Sequence, residues 1–117
     1  WGINKSIDSL EGMFAIGVWD RDSRCLSLAR DFAGIKPLFY GFNSRGFVFS
    51  SQYNQISNHP FFRDEEINQS VLKLYISQHF IPPPFGLLKT LLPLRILLSQ
   101  VFSFFFLNQN LLEHYLR

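Results

Sequence analysis

Two stretches of the 117-residue chain decide its fold, LEGMFAIGVWD at residues 10–20 and ARDFAGIKPLFYG at residues 29–41. In the first, residues 13–19 are apolar on both alternating sets, which is typical of a strand covered on both faces. We therefore expect a central strand there. The polar residues 20–24 predict a turn, because Asp and Ser side chains bond nearby backbone groups. Residues 25–29 alternate small and large side chains, so the region as a whole predicts a hairpin.

A second hairpin is predicted within residues 38–50. Strands are expected at residues 38–42 and 46–50, on either side of the short polar turn 43–45. Gly46 follows this turn and can adopt the positive φ that tight turns need. Four strands joined by short links predict an antiparallel sheet.

Beyond residue 51 the pattern changes to that of a helix. Asn68 is predicted to cap the first turn, with Ile67 packing on Leu72 as a hydrophobic staple. The helix should end near Phe80, because the three prolines at 82–84 cannot donate amides and bar the preceding residues from helical backbone angles. One helical face is expected to carry Val71, Leu72, Tyr75, Ile76 and His79.

The composition favours one small folded domain. Hydrophobic residues make up 47% of the chain and charged residues 17%, which is too little charge for a disordered segment. The net charge of +2 is spread without a basic run, so nucleic acid is not indicated as a partner. The single cysteine, Cys25, excludes an intramolecular disulfide and fits either a reducing compartment or indifference to redox. We expect a cytoplasmic protein. The three histidines are far apart in sequence, which argues against a metal site.

Residues 87–117 are strongly apolar but show neither strict alternation nor a clean helical stripe. A transmembrane helix needs about 20 consecutive apolar residues. Lys89, Pro93 and Arg95 interrupt the run on one side and residues 108–110 on the other, so we expect no membrane-spanning helix. One alternative stays open, a non-catalytic interaction or membrane-associated protein that recruits a partner through this apolar segment.

The two stretches together resemble the class II glutamine amidotransferase domain of glutamine-hydrolysing asparagine synthetases. The resemblance rests on Arg-Asp-x-x-Gly-Ile-Lys-Pro-Leu from residue 30, preceded at the family's distance by Gly-Met-Phe-Ala from residue 12. Amidophosphoribosyltransferase and glucosamine-phosphate synthase share weaker versions of these blocks. The prolines at 82–84 favour the asparagine synthetase branch. The resemblance implies an α+β fold, part of an αββα Ntn-hydrolase sandwich with mainly antiparallel strands followed by helices.

The resemblance covers approximately residues 9–89. We therefore divide the chain into residues 1–89, the C-terminal part of a class II glutamine amidotransferase domain, and residues 90–117, a non-matching apolar tail. A frameshift or truncation of the gene would produce such a join. Gln52 stands where the family carries an acidic residue at the start of a short helix, so it departs from the family pattern.

The resemblance also predicts what the chain lacks. In this family the thiolate of an N-terminal cysteine attacks the carboxamide of glutamine, whereas this chain opens with Trp1. Cys25 lies mid-chain on a predicted strand, and we expect it to be a buried small hydrophobe, not the nucleophile. The family's glutamine-binding residues and ATP-binding loop have no counterpart in this chain. We therefore expect no catalytic, substrate-binding or metal-binding residue in it.

The complete parent enzyme would be a ligase of asparagine biosynthesis. It would use glutamine and aspartate as substrates, and ATP and Mg as cofactors. This chain would be an inactive fragment of that enzyme. Related enzymes amidate other carboxylates, so the amide acceptor stays open, and so does the oligomeric state.

One charged motif is of interest, Arg30, Asp31 and Lys36 beside Gly34 and Pro37. Such a group could bind an anion. We favour a structural role, because the resemblance implies that these residues belong to the scaffold and not to the ligands of glutamine. Arg30 and Asp31 would anchor a tight crossing between two strands. Gly34 would supply a backbone conformation that a β-carbon would strain.

Overall fold

A computed structural model describes residues 2–82, 85–93, 101–106 and 112–113, with residue 92 and the last two ranges described by their backbone alone. The chain divides into two compact units, unit 1 (Trp1–Lys36 and Ile96–Arg117) and unit 2 (Pro37–Arg95). The described helices are α1 (Ile3–Asp8), α2 (Tyr53–Ser57) and α3 (Gln69–Gln78). The described strands are β1 (Ala15–Asp20), β2 (Cys25–Arg30), β3 (Phe39–Asn43), β4 (Gly46–Ser50), β5 (Leu91–Pro93), β6 (Val101–Phe106) and β7 (Leu112–Glu113).

Unit 1 contains an antiparallel sheet with the strand order β1-β2-β6-β7. β1 and β2 form the predicted hairpin, in which Gly17 lies opposite Leu28. At its turn the Asp20 carboxylate accepts hydrogen bonds from the amides of Asp22, at 2.9 Å, and Ser23, at 3.3 Å. The predicted turn, with a side chain bonded to the nearby backbone, is therefore confirmed.

The burial of these strands differs from the expectation. β1 is the outermost described strand of its sheet and its Trp19 is 48% exposed, so the prediction of a central strand covered on both faces is wrong. The buried strand is β2, where residues 25–29 are all shielded from solvent. An apolar run identifies a strand, but the burial of that strand depends on which neighbours flank it. The second neighbour, β6, pairs with β2 and not with β1.

Unit 2 contains a smaller antiparallel sheet with the order β4-β3-β5. The predicted second hairpin is β3–β4, in which Gly41 lies opposite Val48. The two hairpins belong to separate sheets, because β2 and β3 each pair on their other side with a strand from later in the chain. The expectation of one sheet is corrected accordingly. The predicted α+β class with mainly antiparallel strands is confirmed, but the predicted order of strands followed by helices is not, because α1 precedes β1 and β5–β7 follow α3.

The core of unit 2 is centred on Ile56, Phe62 and Leu91. Phe62 reaches this position through a turn in which its amide donates to the carbonyl of His59 at 2.8 Å. Its ring lies against the backbone of Gly41, where an added Cβ would come within 3.0 Å of the ring atom Cε1. Glycine on β3 therefore allows the close approach of an aromatic ring to the strand.

α3 follows the sequence prediction at both ends. The Asn68 side chain accepts the amide of Val71 at 3.3 Å, so the predicted cap is confirmed. The helix ends before His79, which adopts a left-handed conformation with φ 59°. Among the residues predicted to share one face, Val71 is buried, whereas Tyr75 and Ile76 are exposed. Helical spacing predicts which side chains share a face. It does not predict how much of that face another element covers.

Two neighbouring phenylalanines provide a test of the unit 2 core. Phe62→Ala should lower the free energy of unfolding by about 3–5 kcal/mol, because it removes a fully buried ring and leaves a cavity. Phe61→Ala should lower it by only about 1 kcal/mol, because Phe61 is already 37% exposed. Urea unfolding followed by circular dichroism measures both values. Equal losses in the two variants would contradict the described core.

Candidate functional site

The charged motif forms a turn that leaves the end of β2 in unit 1. The amide of Asp31 donates to the carbonyl of Phe14 at 2.9 Å, which extends the pairing of the hairpin by one step. The amide of Gly34 then donates to the carbonyl of Asp31 at 2.9 Å. Gly34 has φ 64°, a left-handed conformation that costs a residue with a side chain about 1–2 kcal/mol. Glycine therefore permits this turn.

The carboxylate of Asp31 closes the turn from inside. Asp31 is only 4% exposed. Its Oδ1 accepts the amide of Ile35 at 2.8 Å, and its Oδ2 accepts the amide of Lys36 at 2.9 Å. Both oxygens of a nearly buried carboxylate are thus bonded to the main chain of the same turn.

Arg30 holds the turn from the other side. Its Nη2 atom donates to the carbonyl oxygen of Gly34. Arg30, Asp31, Gly34 and the backbone of Lys36 are therefore brought together, and the side chains of Arg30 and Asp31 are hydrogen-bonded to the main chain of the turn. The side chains of Lys36 and Pro37 are exposed, and the boundary between the two units falls between these residues.

The electrostatics of the turn favour the ionised carboxylate. The pKa of Asp31 lies below its ordinary value, chiefly because the carboxylate accepts the amide of Lys36. Burial acts in the opposite direction, while the amide of Ile35 and the positive charge of Arg30 lower the pKa further. Asp31 therefore remains an anion at neutral pH, and each of its oxygens has a donor.

The geometry limits the chemistry that this turn can perform. A general base must lie within hydrogen-bond reach of the proton it removes. Each Asp31 oxygen accepts one amide of the turn, and Asp31 is only 4% exposed, so its remaining lone pairs are shielded from a substrate. In the part of the chain that the structure describes, no group of three or more His, Cys, Asp and Glu side chains could hold a metal ion.

Cys25 lies at the start of β2 and is buried. Its Sγ is 4.0 Å from the hydroxyl oxygen of Ser27. Across the hairpin it pairs with Asp20 of β1, and on its other side with Phe105 of β6. Because Cys25 is only 8% exposed, its thiol is inaccessible to a substrate of the size of glutamine. The geometry thus supports the expectation that Cys25 is a packing residue.

The segment that departs from the family pattern still forms the expected short helix, α2. Gln52 precedes this helix and makes no side-chain cap. The hydroxyl of Ser50 accepts the amide of Gln52 at 3.1 Å instead. Ser50, three residues before the first helical residue, therefore satisfies the amide of the residue that precedes the helix.

Sequence reasoning missed the role of Tyr53, the first residue of α2. Its hydroxyl oxygen accepts the amide of Leu88 at 3.0 Å, across 35 positions of sequence. No periodicity or motif marks such a contact, because it depends on how two distant segments meet. The only sequence signal is an aromatic residue with a polar tip inside a mainly polar run.

Comparison with known proteins identifies a family for most of the chain. The family model described as "Glutamine amidotransferase domain" matches residues 1–100. This match extends past Lys89, the position at which we divide the chain; whether residues 90–117 are a separate tail stays a prediction. No solved structure matches the chain.

Several curated relatives carry one name. Asparagine synthetase [glutamine-hydrolyzing] 3 of Bacillus subtilis (strain 168) is 43% identical over 54 residues, which are 46% of this chain and 9% of the relative. Asparagine synthetase [glutamine-hydrolyzing] 2 of the same organism is 39% identical over 54 residues, 46% of this chain and 7% of the relative. Asparagine synthetase [glutamine-hydrolyzing] 1 is 34% identical over 80 residues, 68% of this chain and 12% of the relative. The matched part of the chain is thus a small fraction of these relatives' length.

The turn predicts a specific pH dependence of stability. The Asp31 pKa is lowered on folding, so its stabilisation is present above the unfolded-state value of about 3.9 and disappears as the pH falls through the lower folded-state value. Asp31→Asn should therefore destabilise the chain at pH 7 and reduce the loss of stability between pH 5 and pH 2. Urea unfolding across this pH range measures both effects.

The control variant is Asp22→Asn, which changes an aspartate in the exposed β1–β2 turn. Asp20 and Glu66 also have lowered pKa values, because they accept hydrogen bonds from Ser23 and Lys89 respectively. Asp31→Asn should consequently keep part of the acid dependence. An Asp31→Asn variant as stable as the parent chain at pH 7 would contradict the assigned role.

Proposed function

The chain belongs to the glutamine amidotransferase domain family, and on that premise we propose that it is part of a glutamine-hydrolysing asparagine synthetase. The observation that carries the proposal is the family match over residues 1–100, together with the name shared by the curated relatives. The parent would be a cytoplasmic ligase of asparagine biosynthesis whose glutaminase domain has the Ntn-hydrolase fold. It would release ammonia from glutamine. A second domain would use ATP and Mg to activate aspartate for amidation.

Within such an enzyme this chain would supply scaffold. Support comes from the turn of residues 30–37, where the carboxylate of Asp31 and the guanidinium of Arg30 bind the main chain. A substrate-binding group would keep donors or acceptors free for the ligand. Asp31 uses both of its oxygens for the fold, so its role would be to hold the chain as it leaves β2.

The chain by itself would have no glutaminase activity. Amide hydrolysis of this type needs an accessible thiolate next to a group that accepts its proton. The single thiol of this sequence, Cys25, is buried on the central strand of its sheet. A chain without an accessible thiol cannot form the thioester intermediate.

The inactivity can be tested with the purified chain. Incubated with millimolar glutamine, it should release ammonia at the rate of buffer alone, measured with a coupled glutamate dehydrogenase assay. A full-length Bacillus subtilis relative serves as the positive control, and Cys25→Ala as the matched variant. A glutaminase rate above background in the parent chain that Cys25→Ala abolishes would contradict the proposal.

A second candidate function is the recruitment of a partner or a membrane surface through apolar residues. It draws support from the exposed side chains of α3 and the residues after it, where Tyr75, Ile76 and Phe80 are 47%, 65% and 56% exposed. None of the three described helices has the length and apolarity needed to cross a membrane. We favour the scaffold proposal because the family match accounts for most of the sequence.

Lipid vesicles separate the two candidates. On the scaffold proposal, the whole chain should stay in the supernatant when centrifuged with vesicles of mixed neutral and anionic phospholipid. Centrifugation without vesicles controls for self-aggregation. If most of the protein pelleted only when vesicles were present, the second candidate would be favoured over the first.

A further inference from the structure

The segment of residues 87–93, named here the strap, runs back along unit 2 after α3. Four backbone groups fix its first half, and one of them is the carbonyl of Thr90, which accepts the amide of Phe42 of β3 at 3.3 Å. The carbonyl of Leu87 accepts the amide of Asn68 at 2.8 Å, the amide of Leu88 donates to the Tyr53 hydroxyl at 3.0 Å, and the amide of Lys89 donates to the carbonyl of Glu66 at 3.2 Å. Its second half is β5, the third strand of the unit 2 sheet. The strap is thus a continuous segment that pairs with the free edge of the β3–β4 hairpin.

Tyr53 provides a rigid acceptor for the strap. Its ring packs edge-on against Phe39 of β3, with ring centroids 5.6 Å apart and planes at 88°. The ring also packs against the core cluster of Ile56, Phe62 and Leu91. The ring is therefore held by β3 and by a core to which the strap itself contributes Leu91.

The other contacts of the strap differ from the Tyr53 contact. Two of them, at Leu87 and Lys89, go to residues 66–68, which lie just before α3. The Lys89 side chain also pairs with Glu66, but both groups are more than half exposed, and exposed ion pairs contribute little. The Tyr53 hydroxyl therefore joins the strap to a different part of unit 2, from a side chain that the core holds in place.

From these contacts we infer that the strap is a separately opening element of unit 2, and that the Tyr53 hydroxyl is its latch. With the latch closed, Leu91 fills the core and β5 completes the sheet. With the latch open, Leu88 and Leu91 leave the core and the cluster around Phe62 loses its cover. The inference concerns the fold of unit 2 and does not depend on the proposed function.

The latch is built to stay closed at ordinary pH. Burial raises the pKa of Tyr53 above its usual value of about 10, and the amide of Leu88 offsets part of that rise. The hydroxyl therefore stays neutral over the physiological range, and titration would not release Leu88 in any case, because the neutral and the ionised oxygen both accept an amide. Opening of the strap would depend on local fluctuation and not on ionisation of the latch.

Hydrogen exchange in the full chain tests the latch through Tyr53→Phe. This change keeps the ring that packs on Phe39 and removes only the hydroxyl. The amides of Leu88 and Leu91 should exchange about fivefold to tenfold faster, because the strap loses one hydrogen bond in its closed state. Amides of the β3–β4 ladder, such as Val48, should keep their exchange rates.

The matched control is Tyr75→Phe, which makes the same chemical change at an exposed tyrosine on α3. It should leave the exchange of the strap and of the ladder unchanged. Unchanged exchange of the strap in Tyr53→Phe would overturn the inference. Equal acceleration of strap and ladder would overturn it as well, because the strap would then open only with the whole unit. The inference would also be overturned if the Leu91 amide of the unsubstituted chain exchanged as fast as an exposed amide.

Discussion

The buried carboxylate of Asp31 is the constraint on which the exit from β2 depends. A charged group shielded from water is costly unless donors replace its solvation. Here the amides of Ile35 and Lys36 supply one donor for each oxygen. These bonds exist only if the chain bends back within five residues. The need to solvate one anion therefore fixes the path of the chain where the hairpin of unit 1 ends.

This arrangement links the fold to the proposed role of the chain. Charged side chains in a turn can equally bind a ligand or hold a backbone, and their sequence alone does not separate these roles. The hydrogen bonds favour the second role, because Arg30 and Asp31 are bonded to the carbonyl of Gly34 and to the amides that follow it. They support the proposal that this motif is scaffold. Cys25 is likewise buried, so its thiol is not presented to a substrate.

Local features of the fold could be predicted from sequence, because their causes are local. The Asp20 turn, the Asn68 cap and the hairpin β3–β4 each depend on residues within a few positions of one another. Features that depend on distant partners could not be predicted. β1 is exposed because β6 pairs with β2, and Tyr53 meets Leu88 across 35 positions. For the motif of residues 30–37, the resemblance predicted a structural role. The hydrogen bonds of Arg30 and Asp31 are visible only in the structure.

The chain matches a glutamine amidotransferase domain but covers only a small share of each relative. One measurement tests the resulting proposal directly. Sequencing the gene upstream of the Trp1 codon tests whether this scaffold belongs to a longer amidotransferase. The scaffold proposal predicts an open reading frame that continues upstream and begins with a methionine codon followed directly by a cysteine codon. An in-frame stop codon immediately before Trp1, in a gene that is nevertheless expressed, would contradict it.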